Sequence, residues 1–407
     1  MSSRAFMYRF YPTKKQELLF RQWLALCWLL YNGALQERKA AWRWKQSGWE
    51  APKVTYEQQT KSLTQIRAND PAYRSMPVEV GRSALDRVDK AESAMISTRK
   101  AGKAARTRFK KRDQYRSFST STRKHVVRHD GVSRMARIRL PGAAGWGKVR
   151  YHRPIEGTPK QIHVKDCGQR WTIVIICEVV DAITTPIDPK TVPTERMVGI
   201  DVGINALAAL STGEIIENPR FGRKAQKALG QRQRELSRKK RGSKSHGRQK
   251  ELVRRGYAHI AEQRRQNAYT VANYLARDFD VIFYEDLKIA RMVHGNLAKH
   301  IYDAAWRMML VAVAYKASRA GKLDKAVDPY RSSQECHGCE QIVPKSLSVR
   351  RHECDCGTSL DRDVNAAKVV LARGIAALCT SVVTNAGSPA KARRSKRGGR
   401  KTTAVQT

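Results

Sequence analysis

Long hydrophobic runs are absent from this chain of 407 residues. The longest, Ala25–Tyr31 and Met308–Tyr315, stop far short of the ~20 residues that a membrane-spanning helix needs. The opening "MSSRAFMYRFYP" has no apolar core of the kind a secretory leader carries. Both absences lead to the expectation of a soluble, cytoplasmic protein with no membrane partner. Acids are scarce as well, 36 Asp and Glu against 79 Lys and Arg, for a formal charge of +43. Such an excess repels itself in a compact state unless a polyanion offsets it, and a nucleic acid is the natural polyanion. The length exceeds the ~250 residues one core usually fills, so several domains are expected.

Cysteine is thinly spread except in one place. Cys27, Cys167, Cys177 and Cys379 stand alone in apolar surroundings and read as small core residues. Cys336 and Cys339 form CxxC, and Cys354 and Cys356 form CxC after fourteen intervening residues. In a reducing cell that spacing points to metal ligation, and four thiolates suit one structural zinc in a short ribbon. The CxC pair is tighter than a usual knuckle, which leaves His337 or His352 as a substitute ligand. A zinc with every position filled by protein braces its loop and does no chemistry.

"RAFMYRFYP" alternates as a short strand. After Pro12, Leu19, Trp23, Leu26, Leu30 and Leu35 recur at helical spacing, and further amphipathic stretches make residues 13–98 a helical bundle. Arg99–Arg128 then holds twelve bases in thirty residues, one acid, and Phe109, Tyr115 and Phe118 among them. Cations for phosphates interleaved with rings for bases suit single-stranded or bent nucleic acid. Arg108, Phe109, Lys110, Lys111, Arg112, Tyr115 and Arg116 are the candidates there. Strand patterns return in "ARIRLP", "GKVRYH", "KQIHVK" and "RWTIVIICEVV", the last two a hairpin through "DCGQ". They suit a small β-barrel that the first strand joins across the helical insertion, so residues 1–12 and 99–185 form one split domain. A Pro/Thr-rich linker, 186–195, follows.

"RMVGIDVGINALAALSTGEII" opens a mixed sheet. Arg223–Arg265, with sixteen bases and three acids, reads as a long basic helix or helical hairpin, and it adds Arg238, Lys239, Lys240 and Arg241 to the nucleic-acid candidates. "DVIFYEDL" is a strand ending in acids, "NLAKHIYDAAWRMMLVAVAYKASRAG" a helix, and "KLDKAVDP" a further strand. The cysteine segment 336–358 interrupts this unit, which spans 196–335 and 359–385. A basic tail, 386–407, is expected to stay disordered until it meets a polyanion.

Three acids sit where strands end and helices begin. Asp201 lies in the apolar strand "VGIDVG", where an unpaired carboxylate costs several kcal/mol. Glu285 ends a second strand, with Asp286 beside it as the alternative, and Asp363 begins the helix "DRDVNAAKVVL". Asp361 is assigned the plain structural role of helix cap. Strand and helix ends of an α/β sheet present side chains to one cleft. Carboxylates converging there would repel without a divalent cation, and two Mg²⁺ ions about 4 Å apart would activate water against a phosphodiester. Arg331 and Arg362 flank the ribbon as possible contacts to the scissile phosphate, against the simpler reading of surface bases.

"GIDVG", "FYEDL", "DAAW…YKA", "DPYRSSQECHGC" and "CDCGTSLDRDVNAA" occur in that order and resemble the C-terminal half of the TnpB family. The "YRFYPT" start and "RTRFKKRDQYRSF" are similar to its N-terminal half. These are transposon-encoded RNA-guided DNA nucleases related to compact type V CRISPR effectors. The resemblance implies a multi-domain α+β chain: a RuvC-like RNase H fold nuclease domain with an inserted zinc ribbon, preceded by a split wedge β-barrel carrying a helical recognition bundle. It implies a catalytic trio at Asp201, Glu285 and Asp363. It also implies a guide RNA encoded near the gene, a double-stranded DNA target, and a short flanking DNA motif read by the protein while base pairing reads the rest. Two other functions stay open on sequence: guide-dependent DNA binding without cutting, and strand joining by a transposase. All three trio positions keep their carboxylates, which favours cutting.

Overall fold

The computed structural model describes residues 2–122, 126–168, 170–180, 187–189, 191–346 and 349–383. The expected basic tail, 386–407, lies outside them. By internal contacts the chain divides into two units, Met1–Ile183 with Ala228–His259, and Thr184–Lys227 with Ile260–Thr407. Among the described residues no helix is long and apolar enough to cross a membrane.

The first unit starts with β1, Ser2–Tyr11, followed by the helices α1 (Lys14–Gln46), α2 (Tyr56–Asn69), α3 (Pro71–Ser75) and α4 (Val78–Lys100). Thr13 starts α1 with a reciprocal cap: its hydroxyl accepts from Gln16 N at 3.2 Å, and the Gln16 carboxamide accepts from Thr13 N at 3.0 Å. Six strands follow: β2 (Ser117–Ser121), β3 (Val127–Arg128), β4 (Met135–Arg139), β5 (Trp146–Arg150), β6 (Thr158–Asp166) and β7 (Trp171–Val179). They form one antiparallel sheet in the order β2-β6-β7-β1-β5-β4-β3. β1 therefore sits in the middle, although α1–α4 separate it in sequence from every neighbour. Its partners are set by burial, because Phe6, Tyr8 and Phe10 alternate inward. Phe20 of α1 fixes helix to sheet, with its ring 5.5–5.8 Å from those of Phe10, Trp23, Phe118 and Trp171.

The second unit is built on β8 (Met197–Val202), β9 (Ala206–Leu210) and β10 (Ile215–Glu217). The helices α5 (Phe221–Ser237) and α6 (Lys244–Asp278) come next, then β11 (Val281–Glu285). α7 (Ile289–Met292), α8 (Ala298–Ala304), α9 (Trp306–Arg319) and β12 (Leu323–Val327) complete the sheet, whose order is β10-β9-β8-β11-β12. β8, β9 and β10 run antiparallel, while β8, β11 and β12 run parallel. A small hairpin, β13 (Arg351–Glu353) and β14 (Ser359–Asp361), leads into α10 (Arg362–Val383).

Two expectations change. The helix read from "NLAKHIYDAAWRMM" is two helices, broken at Ala305 with φ 57°. The break lets Trp306, 4% exposed, turn inward and donate its indole N–H to Gly203 O at 2.9 Å. The stretch 196–335 is also not one body, because residues 228–259 belong to the first unit. Lys250 pairs there with Asp113 at 2.6 Å, and Arg254 lies 3.6 Å from Asp166. A basic helix carries no local sign of which distant acid it will meet.

Candidate active site

Strand register brings two of the three acids level. Tyr284 of β11 pairs with Ile200 of β8 in parallel, so the next residues, Glu285 and Asp201, stand side by side at the carboxyl ends of their strands. The third arrives through α10, which lies against β8 because two glycines let it approach. A Cβ on Gly199 would sit 2.1 Å from Ala367 O, and one on Gly374 would overlap the Phe283 ring. Asp361 caps α10, its Oδ1 accepting from Asp363 N at 2.8 Å and Val364 N at 3.2 Å. Asp363, in the first turn, then reaches the loop after β8, where a Cβ on Gly203 would stand 3.8 Å from its Oδ2. Trp306 pins the same loop through Gly203 O.

The three carboxyls share one electrostatic field. Burial raises the Asp201 pKa well above the ordinary carboxylate range, and Glu285 and then Asp363 raise it further, while Arg362 opposes them. Burial also raises Glu285, which is 8% exposed, against the Ser332 hydroxyl and the Arg373 charge. Each of the other two acids has a holder of its own. Ser332 Oγ donates to Glu285 Oε1. Arg362 donates to Asp363 Oδ1 from Nε at 3.1 Å and Nη2 at 3.0 Å, and its Nη1 meets Val349 O at 3.1 Å. Arg362 is thus a counter-ion within the site. Arg331 is exposed, with φ 53° and its guanidinium 5.2 Å from the Tyr330 ring centre. Asp286 is exposed.

A donor set of mutually repelling, partly buried carboxylates at strand and helix ends suits hard divalent cations. The acids stand wider than a single-ion cage. Among the described residues, only Cys336, Cys339, Cys354 and Cys356 bring the ligand atoms of three or more metal-binding side chains all within 4.8 Å of one another.

In that cluster Cys336 Sγ lies 3.6 Å from Cys356 Sγ, and Cys339 Sγ lies 3.5 Å from Cys354 Sγ. Four sulfurs around a tetrahedral ion with bonds of ~2.3 Å stand about 3.8 Å apart, while a disulfide is far shorter. Burial works against ionising Cys336, but the Thr358 hydroxyl, the Gly338 N–H and His352 outweigh it and bring the thiol to about 7. The Thr358 hydroxyl and N–H lower Cys356 to about 6. Cys339 accepts the Gln341 N–H, yet burial and the other three sulfurs push it up to about 12. Four sulfurs this close cannot all ionise without a cation, so the set fits zinc. His337 is engaged elsewhere, by N and Nδ1 with Asn365 Oδ1 at 3.1 and 3.2 Å. The Nδ1 of fully buried His352 faces Lys345 Nζ, which leaves the ring beside Cys336 as a supporting group. Of the scattered cysteines expected in the core, Cys27 and Cys177 are buried, Cys167 is half-buried and Cys379 is exposed.

The basic segment of the first unit is held by its backbone. Asn32 bonds Lys110 through both its amide atoms, accepting from Lys110 N at 2.9 Å and donating to Lys110 O at 3.0 Å. Trp28 Nε1 donates to the same oxygen at 2.7 Å, and Lys39 Nζ donates to Thr107 O at 3.1 Å. Arg108, Phe109, Lys110, Lys111 and Arg112 are left exposed, with Phe109 in a cation–π contact with Lys39 at 4.5 Å. Tyr115 is a correction. It is 5% exposed, under Arg87 and against Tyr31, so its ring belongs to the core and is not offered to a base. Phe118, fully buried, is likewise core. Half-buried Arg116 donates to Asp113 O. Arg238, Lys240 and Arg241 are exposed and Lys239 half-buried at the turn between α5 and α6.

Sequence reasoning passed over Ser332, Asn365, Arg373 and Trp306. Ser332 precedes the CxxC by only a few residues and Asn365 follows Asp363 by two, so proximity to marked residues was the available signal. Nothing local marked Trp306 or Arg373.

Three family models match the chain: one described as a probable transposase over residues 175–295, a Cas12f1-like TNB domain over 306–370, and a helix-turn-helix domain over 1–47. The last range holds one strand and one 33-residue helix here. A putative RNA-guided DNA endonuclease of Streptomyces pristinaespiralis is 33% identical over 381 residues, covering 92% of this chain and 90% of that protein. The putative RNA-guided DNA endonuclease InsQ of Escherichia coli (strain K12) is 29% identical, covering 95% and 96%. Among solved structures, that of a Cas12f1–sgRNA–target DNA complex aligns with a TM-score of 0.56 at 12% identity, covering 88% of this chain and 83% of that one, a likeness of fold.

Proposed function

The chain belongs to the TnpB family, and from that membership we propose that it is an RNA-guided DNA endonuclease whose hydrolytic centre is Asp201, Glu285 and Asp363. The observation that carries this reading is the parallel register of β8 and β11, which sets Asp201 level with Glu285, together with α10, which brings Asp363 to the loop after β8. Three acids from a strand, a second strand and a helix start share one site. The strand order β10-β9-β8-β11-β12, antiparallel on one side of β8 and parallel on the other, supports reading the second unit as a RuvC-like RNase H fold. The seven-stranded sheet and α1–α4 are read as the wedge and recognition parts that grip guide RNA and the guide–target duplex. The four sulfurs are read as one structural zinc site in a ribbon.

In this reading the three carboxylates would hold magnesium, which would supply an activated water and charge neutralisation at the scissile phosphate. The chain's own work is to keep the oxygens in place. Ser332 orients Glu285, Arg362 balances Asp363, and Trp306 fixes the loop that follows Asp201. Asp201 must lose its proton to bind a cation, so cutting should weaken at acid pH. The exposed bases 108–112 and the α5/α6 turn meet phosphate.

Replacing Asp201 or Asp363 with Asn should lower guide-directed cutting on the order of 10³-fold or more, the scale felt when one transition-state electrostatic contact is removed. Binding of guide and target, measured by gel shift, should stay near wild type. A variant that cuts normally in Mg²⁺ removes its residue from the site. Products with free ends, not joined to a second DNA, separate hydrolysis from the strand transfer that the transposase description of one family model suggests.

A further inference from the structure

The segment between β12 and the first cysteine pair links the two candidate metal centres. Asn365 is fully buried on α10, two residues beyond Asp363. Its Nδ2 donates to Glu335 O at 2.6 Å, and its Oδ1 accepts from His337 N at 3.1 Å. Those are the two residues on either side of Cys336. One carboxamide thus holds the backbone before and after a sulfur ligand, and both partners agree on its orientation, because the oxygen faces an N–H and the nitrogen faces a carbonyl. Arg373, two turns further along α10, binds the same segment through Asp328 O at 2.7 Å, Tyr330 O at 2.8 Å and the Glu335 carboxylate. Ser332 lies in this span, 5% exposed, with its hydroxyl on Glu285.

The segment is therefore fastened at one end to the cysteine cluster, along its length to the helix that carries Asp363, and in the middle to Glu285. Resting on the nuclease reading above, we propose that Asn365 and Ser332 are positioning residues that couple the state of the four-cysteine cluster to the cation affinity of the carboxylate site. A filled cluster holds Cys336 in place, Asn365 transmits that placement to the start of α10, and Ser332 delivers Glu285. Emptying the cluster frees the segment and loosens one of the three carboxylates. Ser332 ties the segment to Glu285, Asn365 ties it to α10 on either side of Cys336, and the four residues of chain from Ser332 to Cys336 connect the two holds.

The test uses the full-length protein bound to its guide RNA. Mn²⁺ and Mg²⁺ are titrated with thermal shift as one readout and the cutting rate as the other, and zinc content is measured separately. Ser332→Ala should keep its zinc but need roughly tenfold more divalent cation for half effect, the range typical of lost supporting contacts at metal sites, and Ser332→Thr should restore it. Asn365→Ala should show a similar rise and lose zinc to a chelator faster. Wild-type protein stripped of zinc should show the same rise in cation requirement, and stripping Asn365→Ala should add little more. Unchanged cation midpoints in Ser332→Ala, or in zinc-stripped wild type, would overturn the coupling while leaving the nuclease reading intact. A wild-type protein with no cation-dependent thermal shift that Asp201→Asn removes would overturn both.

Discussion

Asp201 shows how much one side chain can say about a site. A carboxylate in a strand as apolar as Met197–Val202 has to be compensated, and that need was visible in the sequence. Glu285 and Asp363 were candidates for the same cleft as acids at a strand end and a helix start, but they lie far along the chain and are brought to it only through register and helix docking. The raised pKa has a sign that can be checked. The folded chain keeps this proton at pH values where the unfolded chain has lost it. The group therefore favours folding below the ordinary carboxylate range, and that contribution is lost as pH rises from that range through the raised value. In protein freed of divalent cations, Asp201→Asn should melt above wild type at neutral pH, and the gap should close as pH falls. Thermal melts across acid to neutral pH in chelator will decide it. Added Mg²⁺ should raise the wild-type melting temperature and leave Asp201→Asn largely unmoved.

Elements matter here through how closely they approach. α10 carries Asp363, Asn365 and Arg373, and its height above β8 is set by Gly199, where any Cβ would collide with backbone atoms of the helix. Backbone cannot move aside as a flexible side chain can. Gly199→Ala should therefore lower stability by about 1–3 kcal/mol or more, as overpacking does, and should weaken cutting by displacing Asp363. Denaturant unfolding together with a cutting assay checks this, and a variant with wild-type stability would mean the helix does not sit so close. The existence of most elements was legible. Alternation marked β1 and the β6–β7 hairpin, and apolar runs marked β8 and β11. The break at Ala305 was not, because the apolar spacing runs on through it and only the burial of Trp306 explains the left-handed residue.

For the whole molecule the governing fact is the charge of +43. If the exposed bases near Lys110 bind phosphate as proposed, affinity for guide RNA should fall steeply with salt. Lys110→Ala or Lys111→Ala should each reduce the slope of log affinity against log salt by about 0.7 to 0.9. Tyr115→Phe should leave affinity unchanged, because that ring is buried and already covered by Arg87. Filter binding at several salt concentrations gives both results, and a slope insensitive to both lysines would move the contact surface elsewhere.

By itself the sequence determined the need for a polyanion, the metal-binding spacing of Cys336, Cys339, Cys354 and Cys356, and three acids that required partners. These follow from composition and short-range pattern, because charge, spacing and local burial are carried by neighbours in the chain. Only the tertiary structure decided that Tyr115 is core, that the chain breaks at Ala305 to bury Trp306, and that Asn365 and Ser332 hold one segment between the cysteine cluster and Glu285. Those outcomes depend on contacts between residues far apart in the chain, whose partners are chosen by packing of the whole unit and leave no trace in any short stretch.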